Sequence, residues 1–451
     1  MNTDRFSRLK ALQRPATASR IYVDEAAHEW RGISPDLPAG AQRLAEILGA
    51  APSRTKFGEH LALRRWFSES IGAEAPTGSL DSAALRLLAP ESHKCACDPE
   101  QWLFLDTETT GVVGGTGTYP FLIGIAWWDA GGLEVEQFFM REYSEEHSAL
   151  VALAERMAER RVLVTFNGKS FDWPLLETRY QMTRKIRVPA PRAHLDFLHP
   201  ARNLWRLRLG SARLPELEKH VLGWNRGADV MSEFIPQMYF DYLRGGSPDP
   251  LVPIFHHNQM DLRGLAGLAS RTLAILTNPE LHGQDPLELF GVSRICERRG
   301  ERARARQLYE RSIASELPAD AERAAQRFLA RLAKQEGDHD MACELWQKLL
   351  SGSRDGFEAY EQLAIHYERR AGALQQAAEV TRQALAELRR ANRLGTIASI
   401  AYRQKREKFE KRLTRLTRLE HKRSGKLLDG ISLEASAKPR EDSDAAHSDA
   451  I

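Results

Sequence analysis

Four short apolar runs in the middle of the chain constrain its fold more than any other feature. Turn-like segments such as "DAGG" (129–132) separate the first three runs, which predicts three antiparallel strands. A helix-length stretch, "EEHSALVALAERMAERR" (145–161), precedes the fourth run and predicts a crossover that returns this strand parallel. After Phe171 the pattern is helical to about residue 278. We therefore expect an α/β domain with a mixed sheet flanked by helices. The four runs are "WLFL" (102–105), "FLIGIAWW" (121–128), "VEQFFM" (135–140) and "VLVTF" (162–166).

Two carboxylates follow the first of these runs, in "LDTETTG" (105–111). Asp106 and Glu108 are two residues apart, so their side chains face the same side of an extended chain. Buried carboxylates in such proximity repel each other and lose hydration energy. A divalent ion such as Mg²⁺ or Mn²⁺ resolves both problems, although a cap or an arginine partner is an alternative for strand-end acids.

Two later segments supply further acids. In "FNGKSFDWPLL" (166–176), Asn167 ends the fourth strand and Asp172 begins a helix, with Phe171 expected to anchor that helix in the core. In "FHHNQMDLRGLAGL" (255–268), His257 and Asp261 share one face if the segment is helical throughout, and His256 is turned away by about 140°. If the helix begins only after the histidines, His256 could point toward the acid instead.

Taken together, "DTETTG", "FNGKSFDWPLL" and "HHNQMD" resemble the three motifs of the DEDD superfamily of 3′-to-5′ exonucleases. The resemblance covers about residues 99–278. In more detail, this part of the chain resembles the YprB-like, ribonuclease H-like branch of bacterial proteins. It implies a ribonuclease H-like fold and a two-metal mechanism with a general base beside the last acid. The metal ligands that it implies for two Mg²⁺ or Mn²⁺ ions are Asp106, Glu108, Asp172 and Asp261.

For the remaining site residues, different motifs resemble different branches of the superfamily. The spacing of the second motif is closer to the proofreading domains of family B polymerases, in which a tyrosine lies four residues before the last acid. Here that position is His257, which we rank first as general base, while His256 has the offset of the histidine subclass. The expected substrate contacts are Thr107, Asn167 and Lys169, with capping of the following turn as the alternative for Asn167. Asp196 is expected to be a further acid near the metal ligands.

A possible second nucleic-acid contact lies in "HLDFLHPARNLWRLRLG" (194–210). Its three arginines could contact phosphates and Trp205 could stack on a base. A solvated helix face is the alternative for most of the arginines.

Residues 285–388 lack strand-like runs and show a weak repeat of about 35 to 37 residues. This period is typical of tetratricopeptide-like helical hairpins, so we expect an all-α helical-repeat domain, with an ordinary helical bundle as the alternative. The sets that repeat are Ala305, Tyr309 and Ser312, then Ala342, Trp346 and Leu349, then Ala377, Thr381 and Ala384.

The two ends of the chain carry no catalytic motif. Residues 389–428 form a predicted basic amphipathic helix. Positions 403–426 hold eleven Lys or Arg and three Glu, a balance that favours contact with phosphates over the alternatives of docking on an acidic partner or a solvated helix. Residues 429–451 are small and polar and are expected to be disordered. Residues 1–98 show no strong periodicity, and the sequence assigns them no role.

The composition limits the surroundings of the protein. No apolar run approaches the roughly 20 residues needed to cross a bilayer, and the first residues lack the apolar stretch of a secretory leader. The chain has four scattered cysteines, which are too few for a disulfide framework. We therefore expect a soluble, cytoplasmic protein without a membrane partner.

The leading functional prediction is a metal-dependent 3′-to-5′ exonuclease that acts on single-stranded DNA or RNA, with a helical module that binds a protein partner or the substrate. A catalytically weak or inactive nuclease-like scaffold is the first alternative. A structure-specific endonuclease is the second, because a fold alone does not fix cleavage polarity.

Overall fold

The computed structural model describes residues 39–68, 71, 78–111, 116–227, 229–283, 285–350 and 357–435. The chain divides into two compact units, Met1–Leu308 and Tyr309–Ile451. Within the described residues, no helix combines the length and the apolar character needed to span a membrane. Residues 429–435, the start of the tail that we expected to be disordered, belong to the helix Ser399–Ala435. The rest of that tail, 436–451, lies outside the described residues.

The described residues of the first unit form a seven-stranded mixed sheet in the order β1-β2-β5-β4-β3-β6-β7. The first five strands in this order pair antiparallel, and β6 runs parallel to both β3 and β7. The strands are β1 (Ala51–Thr55), β2 (Gly58–Phe67), β3 (Trp102–Thr109), β4 (Pro120–Asp129), β5 (Gly132–Phe139), β6 (Val162–Thr165) and β7 (Ala193–Asp196).

The sheet confirms the predicted α/β class and the four predicted strands. The first three form the expected antiparallel meander, and the fourth returns parallel to the first after the helix Glu146–Glu159. Two features were not predicted. The strand Ala193–Asp196 interrupts the segment that we expected to be helical. Residues 51–67, to which we had assigned no role, supply a hairpin that extends the same sheet beside β5.

Helices cover both faces of this sheet because the buried strands carry apolar residues on both sides. The neighbours Phe138 and Phe139 on β5 enter different core clusters. The first cluster includes residues of the helices Glu146–Glu159 and Asp172–Thr183. The second includes residues of Ala39–Leu48, Ile235–Leu243 and the start of Val252–Thr277. The helices of the first unit are α1 (Ala39–Leu48), α2 (Ser82–Leu88), α3 (Glu146–Glu159), α4 (Asp172–Thr183), α5 (Leu198–Leu204), α6 (Arg206–Leu209), α7 (Leu214–Val221), α8 (Ile235–Leu243), α9 (Val252–Thr277), α10 (Pro279–His282) and α11 (Pro286–Arg298), with 3₁₀ turns at His93–Ala96, Pro99–Gln101, Tyr143–Glu145, Ser232–Phe234 and Asp249–Leu251.

The boundary between the two units falls within α12 (Arg302–Ala314), and the described remainder of the chain is helical. The three sets of repeated residues lie on α12 and on the helices His339–Leu350 and Leu374–Arg393, and all nine side chains are buried. This burial explains their spacing, whereas membership of the tetratricopeptide class stays a prediction. The later helices are α13 (Ala319–Glu336), α14 (His339–Leu350), α15 (Phe357–Arg369), α16 (Leu374–Arg393) and α17 (Ser399–Ala435).

The basic helix is α17, which begins later than the sequence indicated because residues 389–393 still belong to α16. Its apolar face packs through Phe409 and Leu416, which are buried. Several of its cations pair with acids of the preceding helices: Arg412 and Arg415 both contact Glu368. Part of its positive charge is therefore neutralised within the second unit.

Candidate functional site

Asp106 and Glu108 lie at the end of β3 and face helix α9. Alternation along the strand puts them on the side of Phe104 and places Leu105 and Thr107 on the other side. Burial raises the pKa of both carboxyls well above the ordinary range, and the neighbouring carboxylate of Asp261 raises it further. The strand end is therefore a place where negative charge is concentrated and only partly compensated.

A glycine opposite Asp106 makes room for an amide that binds this acid. Gly124 on β4 is the register partner of Asp106, and a Cβ atom at Gly124 would lie 2.0 Å from Asn258 Oδ1. In that space the Asn258 amide donates to Asp106 Oδ2 at 2.8 Å. Gln137, which is the register partner of Gly124 on β5, donates to Asn258 Oδ1 at 2.8 Å and fixes the orientation of the amide.

Asp172, the first residue of α4, approaches β3 from the opposite face of the sheet. Thr107 donates its hydroxyl to Asp172 Oδ1 at 2.5 Å. Burial raises the pKa of Asp172 to about 6, although this hydrogen bond acts in the other direction. Thr107 also lines the cleft described below. Its hydroxyl therefore holds an acid in place, and the predicted contact with substrate stays a prediction.

Helix α9 supplies the third element of the site. The helix begins at Val252, so both histidines are helical, and the condition under which His256 would point inward is not met. His257 is buried, and its Nε2 lies 3.8 Å from Glu108 Oε1 and 3.8 Å from Asp261 Oδ2. His256 is exposed on another face of the helix.

A loop between α7 and α8 adds two charged residues to this group. Asp229 lies 2.7 Å from His257 Nδ1 through its Oδ1. Burial acts to raise the pKa of Asp229, but its contacts with His257 and Arg226 outweigh burial and lower that pKa. Arg226 Nη2 lies 2.5 Å from Asp261 Oδ1, and its guanidinium also contacts Glu218 and Asp229.

Asp196 ties down the loop that leads to Asp172. Its carboxylate accepts hydrogen bonds from the backbone amides of Asn167 at 2.9 Å, Lys169 at 3.0 Å and Leu198 at 3.0 Å. Asn167 adopts a φ of 70°, a left-handed conformation that asparagine tolerates better than most residues. Lys169 is exposed. The predicted substrate contacts of the Asn167 and Lys169 side chains therefore stay predictions.

A cleft of about 520 Å³ opens beside Glu108 and Asp172. Phe171 lines this cleft and is 55% exposed, so the expectation that it anchors α4 in the core was wrong. Phe171 precedes the first turn of the helix, and the buried Trp173 and Leu176 provide the anchor instead. The lining also includes Thr107, Thr109, Ser170, Ser232, Ile235 and Pro236.

The second predicted nucleic-acid contact is partly wrong. Trp205 is fully buried, and its indole nitrogen donates to Glu288 at 2.8 Å, so it cannot stack on a base. Arg208 also contacts Glu288. These residues join α5 and α6 to α11 through a buried polar contact.

The oxygen donors of the four carboxylates suit a hard divalent ion. The side chains do not yet surround one common ion position. Within the described ranges, no group of three or more Asp, Glu, His or Cys side chains is already arranged around one ion position. The buried Asp261 Oδ1 forms an ion pair with Arg226 Nη2 at 2.5 Å. Four carboxylates whose charge is incompletely satisfied, without a thiolate, fit Mg²⁺ or Mn²⁺ better than a softer metal.

Sequence reasoning missed several residues of this site. Asp229, Arg226 and Glu218 come from a loop and a helix without a motif, and only the fold brings them to α9. Gly124 could have been noticed, since a glycine inside an apolar strand often marks a close approach of another group.

Comparison with known proteins agrees with this architecture. A model of the RNase_H superfamily matches residues 103–273, so this part of the chain is a ribonuclease H-like domain, a fold generally associated with nucleases. Over 287 residues the chain is 29% identical to the uncharacterized protein YprB of Bacillus subtilis (strain 168). The matched segment covers 63% of this chain and 69% of YprB. The predicted resemblance to the YprB-like, ribonuclease H-like proteins is confirmed.

A solved structure of the family B DNA polymerase from the hyperthermophilic archaeon Pyrobaculum calidifontis is a more distant neighbour. The match has a TM-score of 0.32 and 16% identity, and it covers 44% of this chain and 28% of that chain. A similarity of this size supports no inference about function.

Proposed function

We propose that this protein is a divalent-metal-dependent 3′-to-5′ exonuclease that hydrolyses phosphodiester bonds in single-stranded DNA or RNA. The observation that carries the proposal is the convergence of Asp106, Glu108, Asp172 and Asp261, which come from three distant segments and act on one another electrostatically. Buried acids that repel one another destabilise a fold unless a cation or protonation compensates them, and among the four acids Arg226 contacts Asp261 alone.

These four acids would hold two Mg²⁺ or Mn²⁺ ions. When bound, such ions supply Lewis-acid stabilisation of the negative charge on the scissile phosphate and on the leaving oxygen. Thr107 and Asn258 keep the Asp172 and Asp106 carboxylates in fixed orientations. Fixed ligands favour rapid reaction because little reorganisation is needed during the chemical step.

His257 would act as the general base. An ionised carboxylate can only accept, so Asp229 requires a proton on Nδ1 and leaves Nε2 free to take the proton of an attacking water. Nε2 lies 3.8 Å from both Glu108 Oε1 and Asp261 Oδ2, oxygens of two of the four acids. The cleft beside Glu108 and Asp172 would receive the terminal nucleotide.

The proposed location of the protein is the cytoplasm, and its four free cysteines agree with such a reducing compartment.

Labelled oligonucleotides test this function. Wild type is compared with Asp106→Asn on 5′-labelled single-stranded DNA and RNA, with Mg²⁺, Mn²⁺ or EDTA. We expect a ladder that shortens from the 3′ end, and no products with EDTA or with the variant. Asp129→Asn is the control, because Asp129 ends the neighbouring strand β4 in an exposed position. Equal degradation by Asp106→Asn would reject the proposed site.

The scaffold alternative has one specific observation in its favour, the ion pair that Arg226 makes with Asp261. A scaffold would bind single strands without shortening them in the presence of any divalent ion.

A circular single strand distinguishes the endonuclease alternative from the proposed exonuclease, because an endonuclease cuts it and an exonuclease does not.

A further inference from the structure

Arg226 is a buried cation placed directly on the acid cluster. Its side chain is 5% exposed, and its guanidinium contacts three carboxylates, those of Glu218, Asp229 and Asp261. A guanidinium is always charged at the pH values where proteins are stable, so this group brings a permanent positive charge to the site.

Glu218, which takes no part in the proposed chemistry, fixes the position of Arg226. Glu218 on α7 is fully buried and accepts from Arg226 Nη2 at 2.5 Å, and from Nε through its other oxygen. It lies against α9 at Gly264, where a Cβ atom would approach Glu218 Oε1 to 1.7 Å. The close approach of α7 to α9 therefore fixes Glu218, and Glu218 directs the guanidinium toward Asp261.

The acids of the cluster are compensated in different ways. Asp106 and Asp172 receive hydrogen bonds from Asn258 and Thr107, which are neutral donors and leave the charge on the carboxylate. Asp261 is instead contacted by a full positive charge on Oδ1. A divalent ion that used this oxygen would have to replace the guanidinium, because two cations in contact with one carboxylate oxygen repel each other.

We propose that Arg226 is a positioning residue that holds Asp261 in the metal-free protein and competes with a divalent ion for that carboxylate. The inference rests on the proposed metal site. On metal binding, Arg226 releases Asp261 and keeps its contacts with Glu218 and Asp229, so the buried charge stays paired. Arg226 thus weakens divalent-ion binding while stabilising the empty site.

Calorimetric titration with Mn²⁺ alone tests this competition. The proteins are wild type, Arg226→Gln and Arg244→Gln, all freed of metal with a chelator. Arg244 is the matched control because it is an exposed arginine that contacts Asp241, away from the acid cluster. We expect Arg226→Gln to bind Mn²⁺ roughly tenfold more tightly than wild type, since one positive charge in contact with a ligand is removed. Arg244→Gln is expected to match wild type.

Each outcome separates the inference from the proposed function. If no protein in the series binds Mn²⁺, the metal site fails. If wild type binds and Arg226→Gln binds equally or more weakly, the metal site stands and Arg226 has only a structural role. If Arg226→Gln does not fold, the guanidinium resonance of Arg226 in wild type is followed by NMR during a Mg²⁺ titration. A resonance that changes supports release of Asp261, and one that stays constant at saturation overturns it.

Discussion

His257 Nδ1 lies 2.7 Å from Asp229 Oδ1, and the same imidazole turns its Nε2 toward the acids of the site. Because Asp229 is held ionised by His257 and Arg226, it can only accept from the imidazole. This relationship selects one histidine of the pair and one tautomer of that histidine. His256, its neighbour in sequence, lies exposed on another face.

The two histidines should therefore differ sharply when removed. We predict that His257→Ala lowers kcat by about 10²- to 10⁴-fold, the usual contribution of a general base. His256→Ala is the matched control and should keep nearly wild-type kcat. The measurement is initial-rate kinetics on a labelled single strand at saturating Mn²⁺. Comparable losses in both variants would mean that neither histidine acts as base in the way proposed.

Gly124 should be needed for the position of Asn258. A side chain at this position collides with the Asn258 amide, so Gly124→Ala is predicted to destabilise the protein by about 1–3 kcal/mol, as overpacking of a core does. Activity should fall with it, because Asp106 loses its hydrogen bond. Urea denaturation measures the loss. Gly117→Ala is the control, since nothing lies within 4 Å of a Cβ atom there, and an equal effect at both glycines would refute the steric argument.

Thr107 offers a test of what holds Asp172. Thr107→Val keeps the shape of the side chain but removes the hydroxyl that donates to Asp172, and we predict a loss of about 10- to 100-fold in activity, as for other groups that orient metal ligands. Thr107→Ser retains the hydroxyl and should remain within a few-fold of wild type. A loss confined to KM would instead favour the direct substrate contact expected from sequence.

One contribution to the pH dependence of stability comes from Asp172. Its pKa is raised from 3.8 to about 6 by burial, so between these values the unfolded chain has released a proton that the folded protein retains. The stabilising contribution is therefore fully present below about pH 4 and is lost as the pH rises to about 6. Urea denaturation in EDTA should show this decline in wild type and a smaller decline in Asp172→Asn. Parallel curves would contradict the raised pKa.

The strands of the sheet that could be predicted are those whose sequences are apolar runs. The meander from Trp102 to Phe139 and the parallel fourth strand follow from run lengths and turn residues. The strand Ala193–Asp196 has only four residues, two of them buried, and too short a pattern to separate from a helix. The strand Ala51–Thr55 is polar, and it joins the sheet through pairing with β2 rather than through its own composition.

The site was predictable to the extent that its residues sit in motifs on regular elements. Alternation along β3 and the helical spacing of His257 and Asp261 were sufficient to group those residues. Arg226 and Asp229 occupy an irregular loop, and local sequence does not specify where such a loop lies. Phe171 was misplaced because an aromatic residue before a helix can serve either as an anchor or as part of a cleft wall.

If four distant acids form one site for divalent ions, electron paramagnetic resonance should detect a fixed number of Mn²⁺ ions bound to them. We predict about two ions per wild-type chain, as two-metal nucleases require, and fewer in Asp106→Asn. A wild-type protein that binds no Mn²⁺, or a variant that binds as many ions as wild type with equal affinity, would contradict this prediction.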